Sequence, residues 1–230
     1  MFWSWALFTL IIISSIPVIA VYVWFRLAKY KFSLVKYLLV LLTGASAFFP
    51  ALIFQELLNF PLPVSGRLEL FYYFFIRIAF TEEFSCLLML FIFFWISRRI
   101  KPEDNNNNNS QLLSYNTVKK GTAIGLVAGL GFALLENAVY GASDTGVLLL
   151  RVITASPLHG ACGSRIGAAA VLFRSNPIQA LFRVFAAVAI HGIYNFLIVM
   201  SGLPLIAAIL IALSALVSSI LTIRGGWNSE

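Results

Sequence analysis

The sequence contains few charged residues. Only 11% of its 230 residues are Asp, Glu, Lys or Arg, whereas a soluble domain carries about 25%. Hydrophobic residues make up 60% of the chain, and the mean hydropathy is +0.92. This composition leaves no room for a separate soluble domain. It predicts a single integral membrane domain over residues 1–230 that crosses the bilayer several times.

Cysteine is also scarce. The two cysteines, Cys86 and Cys162, fall inside apolar segments and match neither a CxxC metal site nor a disulfide framework. The formal net charge is +7, but the basic residues are scattered over short loops. The charge therefore does not indicate nucleic-acid binding, and we interpret it as a signal of membrane topology.

Seven apolar segments are long enough to cross a bilayer, for which ~20 residues suffice. We therefore expect an all-α fold, a polytopic transmembrane bundle, with helices roughly at 2–24, 37–58, 70–97, 120–141, 147–173, 180–200 and 205–223. Between the third and fourth segments, residues 101–118 include the run Asn105–Asn109. This polar, low-complexity stretch predicts a flexible cytosolic loop.

The fourth and fifth segments carry faces of small residues suited to close packing of two helices. The residues are Gly121, Gly125 and Gly129 in the fourth segment and Gly160, Gly163 and Gly167 in the fifth.

The Lys and Arg residues divide unequally between the two sides of the predicted bundle. Only Arg67 lies in the loops of one side. The other side, which includes the C-terminal end, holds Arg26, Lys29, Lys31, Lys36, Arg98, Arg99, Lys101, Lys119, Lys120, Arg174, Arg183 and Arg224. Because basic residues are retained in the cytosol, we expect the N-terminus outside and the C-terminus in the cytosol.

Polar side chains lie inside four of the apolar segments, where a charge costs at least ~2.5–3.5 kcal/mol. Counted at ~1.5 Å per residue from the basic end of each segment, they reach a common depth of ~16–24 Å. They are Glu82, Glu83, Glu136, His159, His191 and Asn195. We expect four helices to bring these side chains together, somewhat nearer the outer face of the membrane.

These residue types suit hydrolysis. A carboxylate can act as general base toward water, and the pattern predicts Glu83 or Glu82 in this role. Two imidazoles and a carboxylate can bind one divalent metal ion such as zinc. Glu136, His159 and His191 are the predicted ligands; the alternative is that glutamates and histidines activate water without a metal.

Asn195 follows His191 by one helical turn, so both side chains point in the same direction. Its amide could donate to an oxyanion or orient His191.

A structural role for one of the paired glutamates is the alternative interpretation. Glu82 and Glu83 are adjacent, so their side chains point about 100° apart on a helix. One of them could pair with Arg77, Arg151 or Arg165. Arg77 and Arg151 fall near the outer boundary, however, and we expect them to snorkel toward the membrane surface.

Four short motifs at these positions resemble those of a known family. They are Thr81-Glu82-Glu83, Gly131-Phe132-xxx-Glu136-Asn137, His159, and His191-Gly-xx-Asn195. The set resembles the PrsW family of intramembrane proteases and, more distantly, the CAAX prenyl endopeptidases. The resemblance implies a polytopic bacterial or archaeal membrane protease, some relatives of which cut membrane-anchored anti-sigma factors. It implies glutamate- and histidine-dependent hydrolysis, usually grouped with the metallopeptidases, and catalytic roles for Glu82, Glu83, Glu136, His159 and His191.

The first motif departs from the family pattern. The family has a basic residue three positions after the second glutamate, as in EExxK, where this chain has Cys86. The charge-balancing role of that basic residue is then either missing or moved, with Arg165 as the candidate. Cys86 and Cys162 lie one turn from the paired glutamates and from His159, so either could approach the site as a soft ligand or pack as a small apolar group.

The sequence therefore predicts an intramembrane endopeptidase that cuts a membrane-anchored protein substrate near the extracytoplasmic side. One alternative is a CAAX-type prenyl-protein peptidase, whose site should open toward the cytosol. Another is a proton- or metal-coupled transporter, since carboxylates and histidines also form proton relays. A third is a non-catalytic membrane scaffold, for which Cys86 is the best support.

Overall fold

The computed structural model of the protein is a bundle of helices. It describes residues 2–60, 66–100, 110–200 and 202–224, and no strand occurs in these ranges. Seven helical spans in the described residues are long and apolar enough to cross a membrane. This confirms the predicted all-α fold with seven spans.

The helices are numbered in chain order. They are α1 (Phe2–Leu27), α2 (Leu34–Ser46), α3 (Phe48–Leu57), α4 (Arg67–Phe71), a π-helical segment (Tyr72–Phe80), α5 (Thr81–Ile100), α6 (Ser110–Gly141), α7 (Thr145–Leu172), α8 (Pro177–Ile198) and α9 (Leu203–Arg224). The stretch from α4 through α5 forms one continuous span, and α2 with α3 forms another.

The second span is interrupted at Ala47, between α2 and α3. Pro50 has no backbone N–H, so it cannot bond to the carbonyl of Ser46 as a continuous α-helix would require. The break falls at this carbonyl, because α2 ends at Ser46.

Part of the stretch 101–118, for which a flexible cytosolic loop is predicted, is helical. Residues 101–109, with the asparagine run, lie outside the described residues, whereas α6 already begins at Ser110. Residues 110–118 contain neither glycine nor proline. Adding turns to an existing helix avoids the cost of a new nucleus, so a polar segment can extend an apolar helix.

The antiparallel pair of α6 and α7 forms the centre of the bundle. A Cβ at Gly125 would overlap the carbonyl oxygen of Gly163, and one at Gly129 would overlap that of His159. The two predicted small-residue faces therefore pack against each other, backbone to backbone. Most residues in the span of α6 are buried, whereas few of those in α8 are.

The other helices surround this pair. A second close approach joins α2 to α6, since a Cβ at Gly44 would overlap the backbone of Ala128. α8 and α9 pack against α7, while the π-helical segment packs against α8. A Cβ at Gly192 would meet the ring of Phe75, so this contact sets the start of α5 beside the middle of α8.

We expect Gly125→Leu to destabilise the protein, because the new side chain would have to displace the backbone of α7. Overpacking costs ~1–3 kcal/mol in ordinary cores, and the loss should reach at least that size here. Thermal unfolding of the purified protein in detergent measures it. Val139→Leu on an exposed position of the same helix is the matched control, and equal melting temperatures for the two variants would contradict the packing.

Candidate active site

Five of the predicted side chains converge inside the bundle. Glu82 and Glu83 come from the first turn of α5, Glu136 from α6, His159 from α7 and His191 from α8. Between 2% and 8% of the surface of each residue is exposed. Four helices thus contribute to one buried polar cluster.

His191 lies between the two adjacent glutamates. Its Nδ1 is 2.7 Å from Oε1 of Glu83, and its Nε2 is 3.6 Å from Oε2 of Glu82. The two carboxylates therefore reach different edges of one imidazole, as their ~100° separation on the helix requires. Glu83 makes a short hydrogen bond, while Glu82 stays beyond hydrogen-bond distance of the ring.

The second imidazole has its own carboxylate. Nε2 of His159 is 2.7 Å from Oε2 of Glu136. The rings of His159 and His191 meet edge to face with their centroids 4.9 Å apart. The ring of His159 also packs against that of Phe132, with their centroids 5.1 Å apart. The two carboxylate–imidazole pairs are therefore joined into one unit.

Arg151 of α7 is part of this cluster. Its guanidinium forms an ion pair with Oε2 of Glu136 and donates from Nε to Oδ1 of Asn137 at 3.1 Å. It also lies 4.1 Å above the ring of Tyr140, within the range of a cation–π interaction. The expectation that Arg151 snorkels to the surface is therefore wrong. A buried carboxylate needs a charged partner, and Glu136 holds Arg151 inside the bundle.

Gln55 of α3 is a contact that the sequence reasoning missed. Its Nε2 donates to Oε1 of Glu82 at 2.9 Å, and its own backbone carbonyl accepts from Nε of Arg77 at 3.1 Å. The sequence feature that could have indicated this contact is a side-chain amide within an apolar helix. Its partner lies 27 residues further along the chain, so only packing could reveal it.

The interpretation that Arg165 replaces the family's basic residue is wrong. Arg165 donates to the carbonyls of Ala161 and Ala215 and to Oγ of Ser219. No carboxylate accepts from it among the described residues. Arg165 follows His159 by six residues, ~9 Å along the helix toward the basic end, and Arg151 supplies the positive charge of the cluster.

Asn195 lies one turn after His191 on α8 and is half-buried. Its side chain makes no hydrogen bond to another described residue. The neighbouring Tyr194 donates instead to Oγ1 of Thr154 at 2.7 Å, which ties α8 to α7 beside the cluster.

The cluster fits a divalent cation. Oε2 of Glu82 and Oε2 of Glu83 are both buried and have no hydrogen-bond partner among the described residues. Three carboxylates face a single guanidinium, so two negative charges are left to compensate if all three are ionised. Buried charges of this kind are paired or bind metals.

Two sets of ligand atoms are close enough to share an ion. Glu82, His159 and His191 form one set, in which the ligand atoms lie within 4.8 Å of one another. Glu83, Cys162 and His191 form the other set. Glu136, the carboxylate expected from the sequence, belongs to neither set in the described residues. Its Oε2 is already occupied by Arg151 and His159.

Comparison with protein families finds a match over most of the chain. Residues 33–222 match the PrsW family intramembrane metalloproteases. The match covers most of the chain and every residue of the cluster, so the chain belongs to this family. Searches of the curated proteins and of the solved structures find no match.

Membership of this family defines the class of the protein. It is an integral membrane protein and an intramembrane protease, an enzyme that hydrolyses peptide bonds. Such an enzyme acts on a membrane-embedded protein substrate within the lipid bilayer. The family name specifies a metalloprotease, in agreement with the buried Glu, His and Cys groups.

We expect Arg151→Ala to lower the free energy of unfolding by ~3–5 kcal/mol, because it leaves the buried carboxylate of Glu136 unpaired. Adding Glu136→Gln should recover part of the loss, since it removes the stranded charge. Chemical or thermal unfolding of the single and double variants measures this coupling. As a control, adding Glu136→Gln to Arg77→Ala should recover none of the lost free energy of unfolding. If the losses from Arg151→Ala and Glu136→Gln simply add in the double variant, the ion pair is contradicted.

Proposed function

We propose that this buried cluster is the active site and that it cleaves a membrane-anchored protein, such as an anti-sigma factor of a bacterial cell, near the extracytoplasmic side. One observation carries the proposal. Two carboxylate oxygens that have no partner among the described residues lie beside two oriented imidazoles within the bundle. Peptide hydrolysis needs such groups to activate water and to shuttle a proton.

Glu82, His159 and His191 would hold one divalent ion, with zinc the best match to this set of nitrogen and oxygen ligands. When bound, the ion supplies a Lewis acid for the scissile carbonyl and for the attacking water. Histidine ligands usually turn their second ring nitrogen to a carboxylate. The short contacts of His191 to Glu83 and of His159 to Glu136 have this form.

Glu83 is the proposed general base. While Oε1 is paired with His191, Oε2 has no partner among the described residues and can take the proton of water. The water oxygen then bonds to the carbonyl carbon of the substrate. As the C–N bond breaks, the protonated Glu83 returns the proton to the leaving amine nitrogen, so the carboxylate is regenerated.

Neighbouring residues position these groups. Gln55 fixes one oxygen of Glu82, and Arg151 fixes Glu136. The side-chain amide of Asn195 is proposed to donate to the oxyanion that develops on the substrate carbonyl, where a preorganised donor is most effective.

The proposed side of cleavage follows from two observations. The cluster is near the bundle end with few basic residues, since Glu136 lies five residues before the end of α6 at Gly141 and His191 seven before the end of α8 at Ile198. The basic residues at the opposite end support an outside N-terminus and a cytosolic C-terminus. Together they favour an active site nearer the extracytoplasmic face.

We expect Glu83→Gln and His159→Ala to slow cleavage by at least ~100-fold, because proton transfer and ligand geometry are lost. The assay reconstitutes the full-length protein in liposomes with a panel of labelled single-span membrane proteins, and mass spectrometry identifies the new termini. Glu56→Gln, an exposed carboxylate of α3, should retain wild-type activity.

Unchanged cleavage in both cluster variants would rule out this active site. New termini in the cytosolic half of the substrate would contradict the proposed side and favour a CAAX-type peptidase.

We expect the purified protein to hold one divalent ion per chain by elemental analysis. Glu82→Ala and His159→Ala should lose the ion because each removes a ligand. Glu136→Ala should retain it with affinity lowered ~10–100-fold, as for a residue that orients a ligand. Thermal unfolding confirms that each variant is folded.

Cys162→Ala separates the two ligand sets. Retention of the ion in this variant supports the set with Glu82, whereas its loss would assign the ion to Glu83, Cys162 and His191. A wild-type protein without metal after loading with zinc would contradict metal-assisted hydrolysis.

A further inference from the structure

A second polar cavity lies between α6, α7, α8 and α9. Its volume is about 60 Å³, enough for about four water-sized atoms at ~15 Å³ each. Two arginines, Arg165 and Arg183, line it together with side chains that carry hydroxyl groups. None of its lining residues is acidic.

The arginines bring two positive charges that no carboxylate of the cavity compensates. Nε of Arg183 is buried and has no hydrogen-bond partner among the described residues. Within the described ranges, Arg165 donates from Nη1 to two carbonyls and to the hydroxyl of Ser219, all of them neutral. Both arginines are half-buried, and charge without a counter-charge is costly inside a membrane-spanning bundle. The cavity therefore favours an anion.

The hydroxyl groups suit an oxyanion. Thr122, Ser164 and Ser219 each donate to a backbone carbonyl four residues earlier in their own helix. These bonds fix the hydroxyl oxygens around the cavity, and each O–H can rotate to donate to an oxygen of a ligand instead. Guanidinium forks and hydroxyl groups together are the usual donors to phosphate.

The cavity is separate from the proposed active site. Arg165 is six residues from His159 and Arg183 eight residues from His191, so the cavity lies ~9–12 Å from the cluster along the helices. It is toward the basic end of the bundle, since Arg183 is six residues from the start of α8 at Pro177. Exposed Ser218 lines it, so it opens to the outside of the bundle.

We propose that this cavity binds a phosphate group. The site is independent of the proposed proteolysis. The phosphate can come from the headgroup of an anionic phospholipid or from free inorganic phosphate, because the recognising donors are the same. Basic pockets between transmembrane helices on the cytosolic side bind lipid headgroups in this way.

Arg183→Gln is the decisive variant, because Arg183 makes no hydrogen bond to another described residue and its replacement removes the charge without breaking one. The full-length protein is placed in phosphatidylcholine nanodiscs that contain 10% phosphatidylglycerol, a composition chosen as about one anionic lipid in ten. Native mass spectrometry then measures the lipid that stays bound. In a second arm, inorganic phosphate is titrated into the detergent-solubilised protein and the melting temperature is followed.

The wild type should retain phosphatidylglycerol or be stabilised by phosphate, and Arg183→Gln should weaken that binding by at least about tenfold. Arg174→Gln, an exposed arginine at the same end, should bind like the wild type. Retained lipid assigns the headgroup as the source, while stabilisation by phosphate alone assigns the free ion.

Two results would overturn the proposal. The first is no binding in either arm, and the second is equal binding by the wild type and Arg183→Gln.

Discussion

Three carboxylates inside a membrane-spanning bundle need partners, because unpaired charge at this depth costs at least ~2.5–3.5 kcal/mol each. Arg151 pairs with Glu136, while His191 and Gln55 satisfy one oxygen each of Glu83 and Glu82. Two carboxylate oxygens have no partner in the part of the chain that the structure describes. The cluster is therefore short of positive charge, and this shortage makes it suited to a cation.

Close packing of α6 and α7 provides the precision that such a cluster needs. At Gly129 a Cβ would overlap the carbonyl of His159 itself. Gly129 lies on α6, seven residues before Glu136. Its lack of a side chain therefore sets how closely α7, with the imidazole of His159, approaches α6. Backbone contact is stiffer than contact through flexible side chains, so the 2.7 Å contact between His159 and Glu136 is held by the helix pair.

The bundle separates two kinds of polar chemistry along its length. The carboxylates and imidazoles lie nearer the end with few basic residues, and Arg165 and Arg183 lie toward the basic end. α7 and α8 contribute to both sites. The chain thus offers an acidic site suited to a cation and a basic site suited to an anion, ~9–12 Å apart along the same helices.

The sequence alone determined the seven spans, the common depth of the rare polar residues and the glycine faces, because these depend on hydropathy, on the rise per residue and on residue size.

The sequence could not determine the direction in which each polar side chain points. Depth counting placed Arg151 near a boundary, whereas the tertiary structure turns it inward to Glu136. Gln55 reaches Glu82 only through the packing of α3 on α5. Tertiary structure also decided which carboxylate could bind a metal. Arg151 and His159 occupy Oε2 of Glu136, whereas Oε2 of Glu82 has no partner among the described residues. Side-chain pairing between distant helices depends on rotation and tilt, which no local pattern in the sequence encodes.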